Sequence, residues 1–177
     1  MSEQFDEIFD VLVIGSGCGG LTAALTADIS NPAKVLVIEK SHLIGGTSAT
    51  SGGVIWIPDN HLGKEKGAQD SISEAKDYLK ATIPADEFNE PLIDAYLDQG
   101  PKMVKFMQDH TDARYTSLEH YPDYFQDAPG VKLGNRALEP LPVSADVLGD
   151  DVDNLHPSGP QTIVFGRYGV NFEESHA

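Results

Sequence analysis

The chain has 177 residues, of which 40% are hydrophobic and 23% charged, enough for one domain with a real core. Its formal charge of −16, from 12 basic and 28 acidic residues, repels phosphate backbones and anionic lipid surfaces and argues against nucleic-acid or membrane partners. The one cysteine, Cys18, excludes an intrachain disulfide and leaves no pair for a metal.

The acidic start "MSEQFDEIFD" lacks the basic and apolar regions of a secretory signal. No stretch is long and apolar enough for a transmembrane segment. A cytoplasmic location is therefore expected. "DVLVIG" (Asp10 to Gly15) is a β-branched apolar run that reads as a buried parallel strand. "GGLTAALTADIS" reads as a helix, broken by Asn31 and Pro32. "KVLVIEK" (Lys34 to Lys40) is a second strand, so the unit is β-α-β with a right-handed crossover. The stretch "SHLIGGTSATSGGVIWIPDN" reads as a loop of small residues. "SISE" (Ser71 to Glu74) has the form of a capping box, and Ile72, Ala75, Tyr78 and Leu79 then share one helical face. "FNEPLIDAYLDQG" and "PKMVKFMQDHT" read as two further helices, divided at Gly100 and Pro101. From Tyr121 the chain is rich in Pro, Gly and Asp, with a short strand expected in "TIVFG" near the end. The resulting expectation is an α/β chain with an incomplete parallel sheet, a helical segment and an irregular tail.

Three glycines at the first strand-to-helix corner have the spacing G-x-G-x-x-G: Gly15, Gly17 and Gly20. Gly15 permits the tight turn, Gly17 the close approach of a pyrophosphate, and Gly20 the packing of helix on strand. The helix start then offers unpaired N–H groups to phosphate. Glu39 closes the second strand 19 residues after Gly20, where a carboxylate accepts bonds from ribose hydroxyls. A corner built for packing alone leaves Glu39 unexplained. The pattern thus points to a dinucleotide, without deciding between NAD and FAD. Cys18 in this loop reads either as a redox thiol or as a small residue that fits, and the second is favoured. A second loop, "GGTSATSGG" (Gly45 to Gly53), pairs glycines with the hydroxyls of Thr47, Ser48 and Ser51, suiting an extended ligand better than a linker. His42, His61, His110, His120, His156 and His176 are scattered and suggest no metal site.

Together, "DVLVIGSGCGG", "VLVIEK" and "GGTSATSGGVIWIP" resemble the FAD-binding segment of the fumarate reductase/succinate dehydrogenase flavoprotein superfamily. "SGGVIWIPDN" and "YPDYFQDAPG" resemble, within it, the 3-ketosteroid dehydrogenases of the 3-oxosteroid 1-dehydrogenase type. The resemblance implies a Rossmann-like FAD-binding unit over residues 1–68, a helical segment over 69–120 and the start of a substrate domain over 121–177. It implies that Gly15, Ser16, Gly17, Gly19 and Gly20 hold the pyrophosphate, with Glu39 and Lys40 at the adenosine end. Gly45, Gly46, Thr47, Ser48, Ser51, Gly52 and Gly53 would line the rest of FAD. Some relatives attach flavin through a histidine at the position of Gly46, so FAD is expected to be non-covalent here. Tyr124 matches an active-site tyrosine that supports a second, basic tyrosine, and it also reads as an ordinary packed aromatic. Tyr121 and Phe125 are expected as pocket walls, and Trp56 either packs under the flavin or fills the core.

The implied reaction removes a proton and a hydride from neighbouring carbons of a steroid-like ketone. No motif names an electron acceptor. The family's flavoproteins are several times longer, so the resemblance implies an N-terminal portion that catalyses poorly alone. Two alternatives stand beside it: a fumarate-reductase-type flavoprotein acting on an activated double bond, and a non-catalytic FAD-binding module.

Overall fold

A computed structural model describes residues 7–159, 163–164 and 168–169. Contacts divide the chain into two compact units, Met1–Gly52 with Val143–Ala177, and Gly53–Pro142.

In the first unit, β1 (Val11–Ile14) pairs in parallel with β2 (Val35–Ile38), Val11 opposite Val35 and Ile14 opposite Ile38. The crossover is α1 (Cys18–Ser30), which packs on both strands. Asn31 caps its end, its N–H donating to the Ala27 carbonyl at 3.3 Å, and Pro32 prevents continuation. Side chains alternate along β1, as a strand requires. Val11 and Val13 are half-buried, while Leu12 and Ile14 are exposed. One sheet face is therefore covered by α1, and the other is open among the described residues.

The glycine-rich stretch expected as loop contains a one-turn helix, α2 (Gly46–Thr50). Two 3-10 turns within Ala145–Asn154, separated at Gly149, return the chain to this loop. There the Ile44 N–H donates to the Asn154 carbonyl at 2.7 Å, and the His156 N–H to the Ile44 carbonyl at 2.9 Å. A strand is present at Ile163–Val164, inside the "TIVFG" stretch, paired antiparallel with Tyr168–Gly169. Thr162, Phe165 and Gly166 lie outside the described residues, as does His176.

The second unit is built on a three-stranded antiparallel sheet. Its strands are β3 (Ile55–Trp56), β4 (Tyr115–Ser117) and β5 (Ala137–Pro140), with β5 in the centre. Helices α3 (His61–Glu65), α4 (Ile72–Thr82) and α5 (Glu90–His110) complete it. Ile57, Val104 and Leu138 form a buried cluster, with Ile55, Leu62, Met103 and Tyr115 packed against it. Burying such side chains contributes about 2 kcal/mol each. Because β3 pairs with β5, residues 53–68 group with the helices rather than with the β-α-β unit. The division thus differs from the three spans expected from the sequence.

Ser71 does cap α4, its hydroxyl accepting from the Glu74 N–H at 3.3 Å and donating to the Glu74 carboxylate at 2.9 Å. The reciprocal bond of a full capping box is diverted, since the Ser71 N–H donates to Asp70 instead, at 2.8 Å. The two helices expected around Gly100 and Pro101 are one continuous helix, α5. Pro101 removes a single intrahelical donor. Gly100 lies against Ile57, whose Cδ1 would stand 3.4 Å from an added Cβ, and burial of Leu97 and Val104 on either side outweighs the lost bond.

Arg136 is 1% exposed and holds this unit together. Its Nε and Nη2 donate to both Asp70 oxygens at 3.0 and 2.7 Å, and its Nη1 donates to Asp123 at 2.8 Å. Burial alone pushes the Asp70 carboxyl up, but the Arg136 guanidinium and the N–H groups of Asp59 and Ser71 leave it below its ordinary value. A lowered folded pKa contributes stability above the unfolded value near 3.8, lost as pH falls through the folded value. Arg136→Met should therefore cost about 3–5 kcal/mol at neutral pH by stranding two buried carboxylates. Urea unfolding at pH 7 and at pH 3.5 checks this; the gap from wild type should narrow at the lower pH.

Candidate functional site

In the first unit the site grows out of the end of β1. Gly15 takes φ +99°, a left-handed turn that favours glycine, and its N–H donates to the Ile38 carbonyl at 2.7 Å. Gly17 is the extended N-cap of α1. A Cβ on Gly20 would lie 2.0 Å from the Gly15 carbonyl oxygen, so helix and strand meet there without room for a side chain. A Cβ on Gly19 would meet nothing within 4 Å, and one on Gly17 would be in ordinary contact with Ser48 Oγ at 3.7 Å. Packing thus requires Gly20, while the fold itself has room for a side chain at Gly17 and Gly19.

Ser16 is buried. Its N–H and hydroxyl both donate to Glu39 Oε2, at 2.9 and 2.7 Å, and its Oγ accepts from the Gly45 N–H at 2.9 Å. The Ser41 N–H donates to Glu39 Oε1 at 3.0 Å. Hydrogen bonds from Ser41 and then Ser16 hold the Glu39 carboxyl down to about 2, so it is a carboxylate at any physiological pH. Lys40, the next residue, is exposed.

The second loop closes against the first. The Cys18 N–H at the start of α1 donates to Ser48 Oγ at 3.0 Å. Gly45 (φ +98°) and Gly46 (φ +52°) both require left-handed backbone, and a Cβ on Gly46 would lie 3.7 Å from Gly17 Cα. Thr47 is exposed; Ser51 Oγ donates to the Ser48 carbonyl at 3.1 Å, and Gly52 has open space beside it. Gly53 (φ +74°) belongs to the second unit, where a Cβ would be 2.8 Å from Pro140.

Local charge is arranged to match. The first turns of α4 and α5 carry Glu74 and Glu90, whereas the first turn of α1 carries no acidic residue. Its positive dipole end is left for another anion.

In the second unit, Trp56, Tyr78, Leu79, Tyr121, Tyr124 and Phe125 line most of a cavity of about 310 Å³, and no Lys, Arg or His is among its lining residues. Tyr124 is exposed at the rim, its hydroxyl 3.2 Å from that of Tyr121. The bond to Tyr124, with some burial, raises the Tyr121 phenol above its ordinary value. The segment bearing Tyr124 is pinned on both sides. Asp123 accepts from Trp56 Nε1 at 2.6 Å and from Arg136, and the Phe125 N–H donates to the Tyr78 hydroxyl at 3.1 Å. Arg136, Asp70 and the role of Asp123 had no place among the residues expected from the sequence. The available signal was a charged residue set between aromatics in "YPDYF".

A family model described as "FAD binding domain" matches residues 10–156. The chain belongs to that family. It is 42% identical over 151 residues to the 3-oxosteroid 1-dehydrogenase of Mycobacterium tuberculosis, covering 85% of this chain and 26% of the relative. To the 4-oxocyclohexanecarboxylate 2-dehydrogenase of Sinomonas cyclohexanicum it is 39% identical over 161 residues, 90% of this chain and 28% of the relative. Among solved structures it is similar to the 3-ketosteroid delta1-dehydrogenase of Sterolibacterium denitrificans, solved in complex with 1,4-androstadiene-3,17-dione. The TM-score is 0.86 at 39% identity, over 95% of this chain and 29% of that one. The chain thus spans about a quarter of the length of the curated relatives it matches.

The residues fit FAD, the cofactor of this family. The surface above Gly17 and Gly19, at an α1 start free of acidic residues, has room for a Cβ and so for a closely lying diphosphate. Glu39, ionised and facing the same corner, suits a ribose. Gly17→Ala should therefore leave thermal unfolding within about 0.5 kcal/mol of wild type and lower FAD affinity at least tenfold, read by flavin fluorescence. Gly20→Ala should instead fail at the level of folding.

Proposed function

We propose that this chain is the FAD-binding part of an oxidoreductase that dehydrogenates a 3-ketosteroid. The amides at the start of α1 bind the diphosphate, Glu39 orients the adenosine ribose, and the second loop follows the rest of the cofactor. FAD is held non-covalently, since Gly46 offers no side chain for attachment. The chemistry FAD supplies when bound is acceptance of a hydride. The chain's own contribution at the substrate is a hydroxyl: Tyr124, supported by Tyr121, holds a proton at the mouth of an apolar cavity. A hydrogen bond from such a hydroxyl polarises a ketone and makes the neighbouring carbon acid easier to deprotonate. The acidic, single-cysteine chain suits a reducing cytoplasm and a neutral small-molecule substrate.

The observation that carries this reading is the composition of the cavity wall. The Sinomonas relative's name specifies a ring bearing a carboxylate, and fumarate-type substrates are carboxylates as well. An anion in a low-dielectric pocket requires a cationic partner. The cavity offers aromatic rings and hydroxyls, and its one Asp or Glu, Asp123, is already paired with Arg136. A neutral polycyclic ketone meets none of that cost.

Trp56 is the chain's single tryptophan and lines the cavity, so its emission reports binding there directly. Titration with 4-androstene-3,17-dione should change that emission saturably, while 4-oxocyclohexanecarboxylate at equal concentration should not. Tyr124→Phe should weaken binding of the ketone about tenfold, the value of one hydrogen bond. Tighter binding of the carboxylate would overturn the steroid assignment.

A further inference from the structure

We propose that Ser16 is a positioning residue for the cofactor: its hydroxyl ties Glu39 at the end of β2 to the second glycine loop, so that the adenosine grip and that loop form one preformed site. This rests on the cofactor of the family and is independent of the substrate reading. A hydroxyl has one proton to give, and that of Ser16 goes to Glu39 Oε2 at 2.7 Å. The Ser16 N–H goes to the same oxygen at 2.9 Å. Both donors of Ser16 are therefore spent inside the protein, on a residue only 3% exposed, and neither is free for a phosphate oxygen. Its Oγ in turn accepts from the Gly45 N–H at 2.9 Å, fixing the first residue of the left-handed pair Gly45–Gly46. Three segments that are 23 and 29 residues apart in sequence thus meet on one oxygen atom.

Glu39 remains partly exposed at this corner, its Oε1 accepting from the Ser41 N–H and lying apart from the oxygen that Ser16 occupies. Its low titration point comes from hydrogen bonds of Ser41, Ser16 and Lys40, with desolvation opposing them. Cys18, Lys40 and His42 are the other titratable groups on the neighbouring segments. The alternative role for Ser16 is that of a direct phosphate ligand, and the two roles make different predictions. FMN carries the flavin and one phosphate but no adenosine, so it does not use Glu39.

The test compares FAD and FMN affinity, by flavin fluorescence, for the full chain and for Ser16→Ala, Glu39→Gln and the double variant. Ser16→Ala should weaken FAD about tenfold or more and FMN little, so that the preference for FAD collapses. The double variant should bind FAD no more weakly than Glu39→Gln alone, as expected for groups acting as one unit. In the flavin-free chain, a carbon-13 NMR titration should move the Glu39 carboxyl from about 2 toward the ordinary 4.5 when Ser16 is replaced. Equal losses for FAD and FMN, additive losses in the double variant, or an unmoved Glu39 titration would each overturn the proposal. Should Ser16→Ala fail to fold, Glu39→Gln still decides it, since an unchanged FAD-to-FMN preference there removes the grip that Ser16 is said to position. A wild-type chain that takes up neither flavin would break the cofactor assignment instead, and the Glu39 titration would still decide whether Ser16 sets that carboxylate.

Discussion

The guanidinium of Arg136 between Asp70 and Asp123 is the constraint on which the second unit depends. A buried ion pair is weak evidence of net stability, because desolvating the charges costs nearly what their attraction returns. Its value lies in geometry. A planar fork with donors at fixed angles admits Asp70 at one edge and Asp123 at another, and each carboxylate is itself tied to backbone: Asp70 to the N–H groups of Asp59 and Ser71, Asp123 to that of Lys132. The start of α4, the turn after β3 and the segment bearing Tyr124 are thereby set against the first residue before β5. Trp56 joins through its indole N–H on Asp123, and the Arg136 guanidinium lies 5.4 Å from its ring centroid. The walls of the cavity, Trp56 and Asp123 among them, are thus positioned by a network whose centre, Arg136, is not one of the lining residues.

The first unit solves a similar problem with a neutral group. Its sheet has two strands, too few to fix distant loops by packing, and Leu12 and Ile14 leave one face uncovered. Order at the corner comes from local polar contacts instead. Gly15 reaches across to β2 through its N–H, Ser16 reaches Glu39 and Gly45, and Ser48 caps the first N–H of α1. Each of these groups is one that would otherwise be an unsatisfied polar atom at a helix or strand end.

Much of this corner was legible in the sequence because its cause is local. Glycine spacing, a strand before and a helix after, and an acid at the end of the next strand each reflect constraints within about thirty residues. The cap at Ser71 was legible for the same reason. What escaped was long-range. Pro101 marks a helix end by every local rule, yet α5 runs through it because Leu97, Gly100 and Val104 pack into the unit on both sides of it. Residues 46–50 hold one good helix former, Ala49, beside Gly, Ser and two Thr, and the backbone flanking α2 is fixed by Ser16 and by the returning chain at Leu155. Arg136 has no periodicity to announce it; its partners lie 13 and 66 residues away. The expectation for Tyr124 came from family pattern alone, since an exposed tyrosine between Asp and Phe has no local reason to be anything but surface.

A net charge of −16 works against binding a dinucleotide diphosphate, yet the start of α1 favours it. The two facts act over different distances. At physiological salt the field of the whole surface is screened beyond about 8 Å, while the amides at the start of α1 act at hydrogen-bond range. What matters is which carboxylates stand within that range. α4 and α5 spend glutamates on their first turns; α1 does not. The one acid at the corner, Glu39, has one oxygen occupied by both donors of Ser16. Its charge is held to the β2 side of the turn, apart from the start of α1. The fold thus separates, within one glycine corner, a carboxylate that accepts hydrogen bonds from a helix start that donates them.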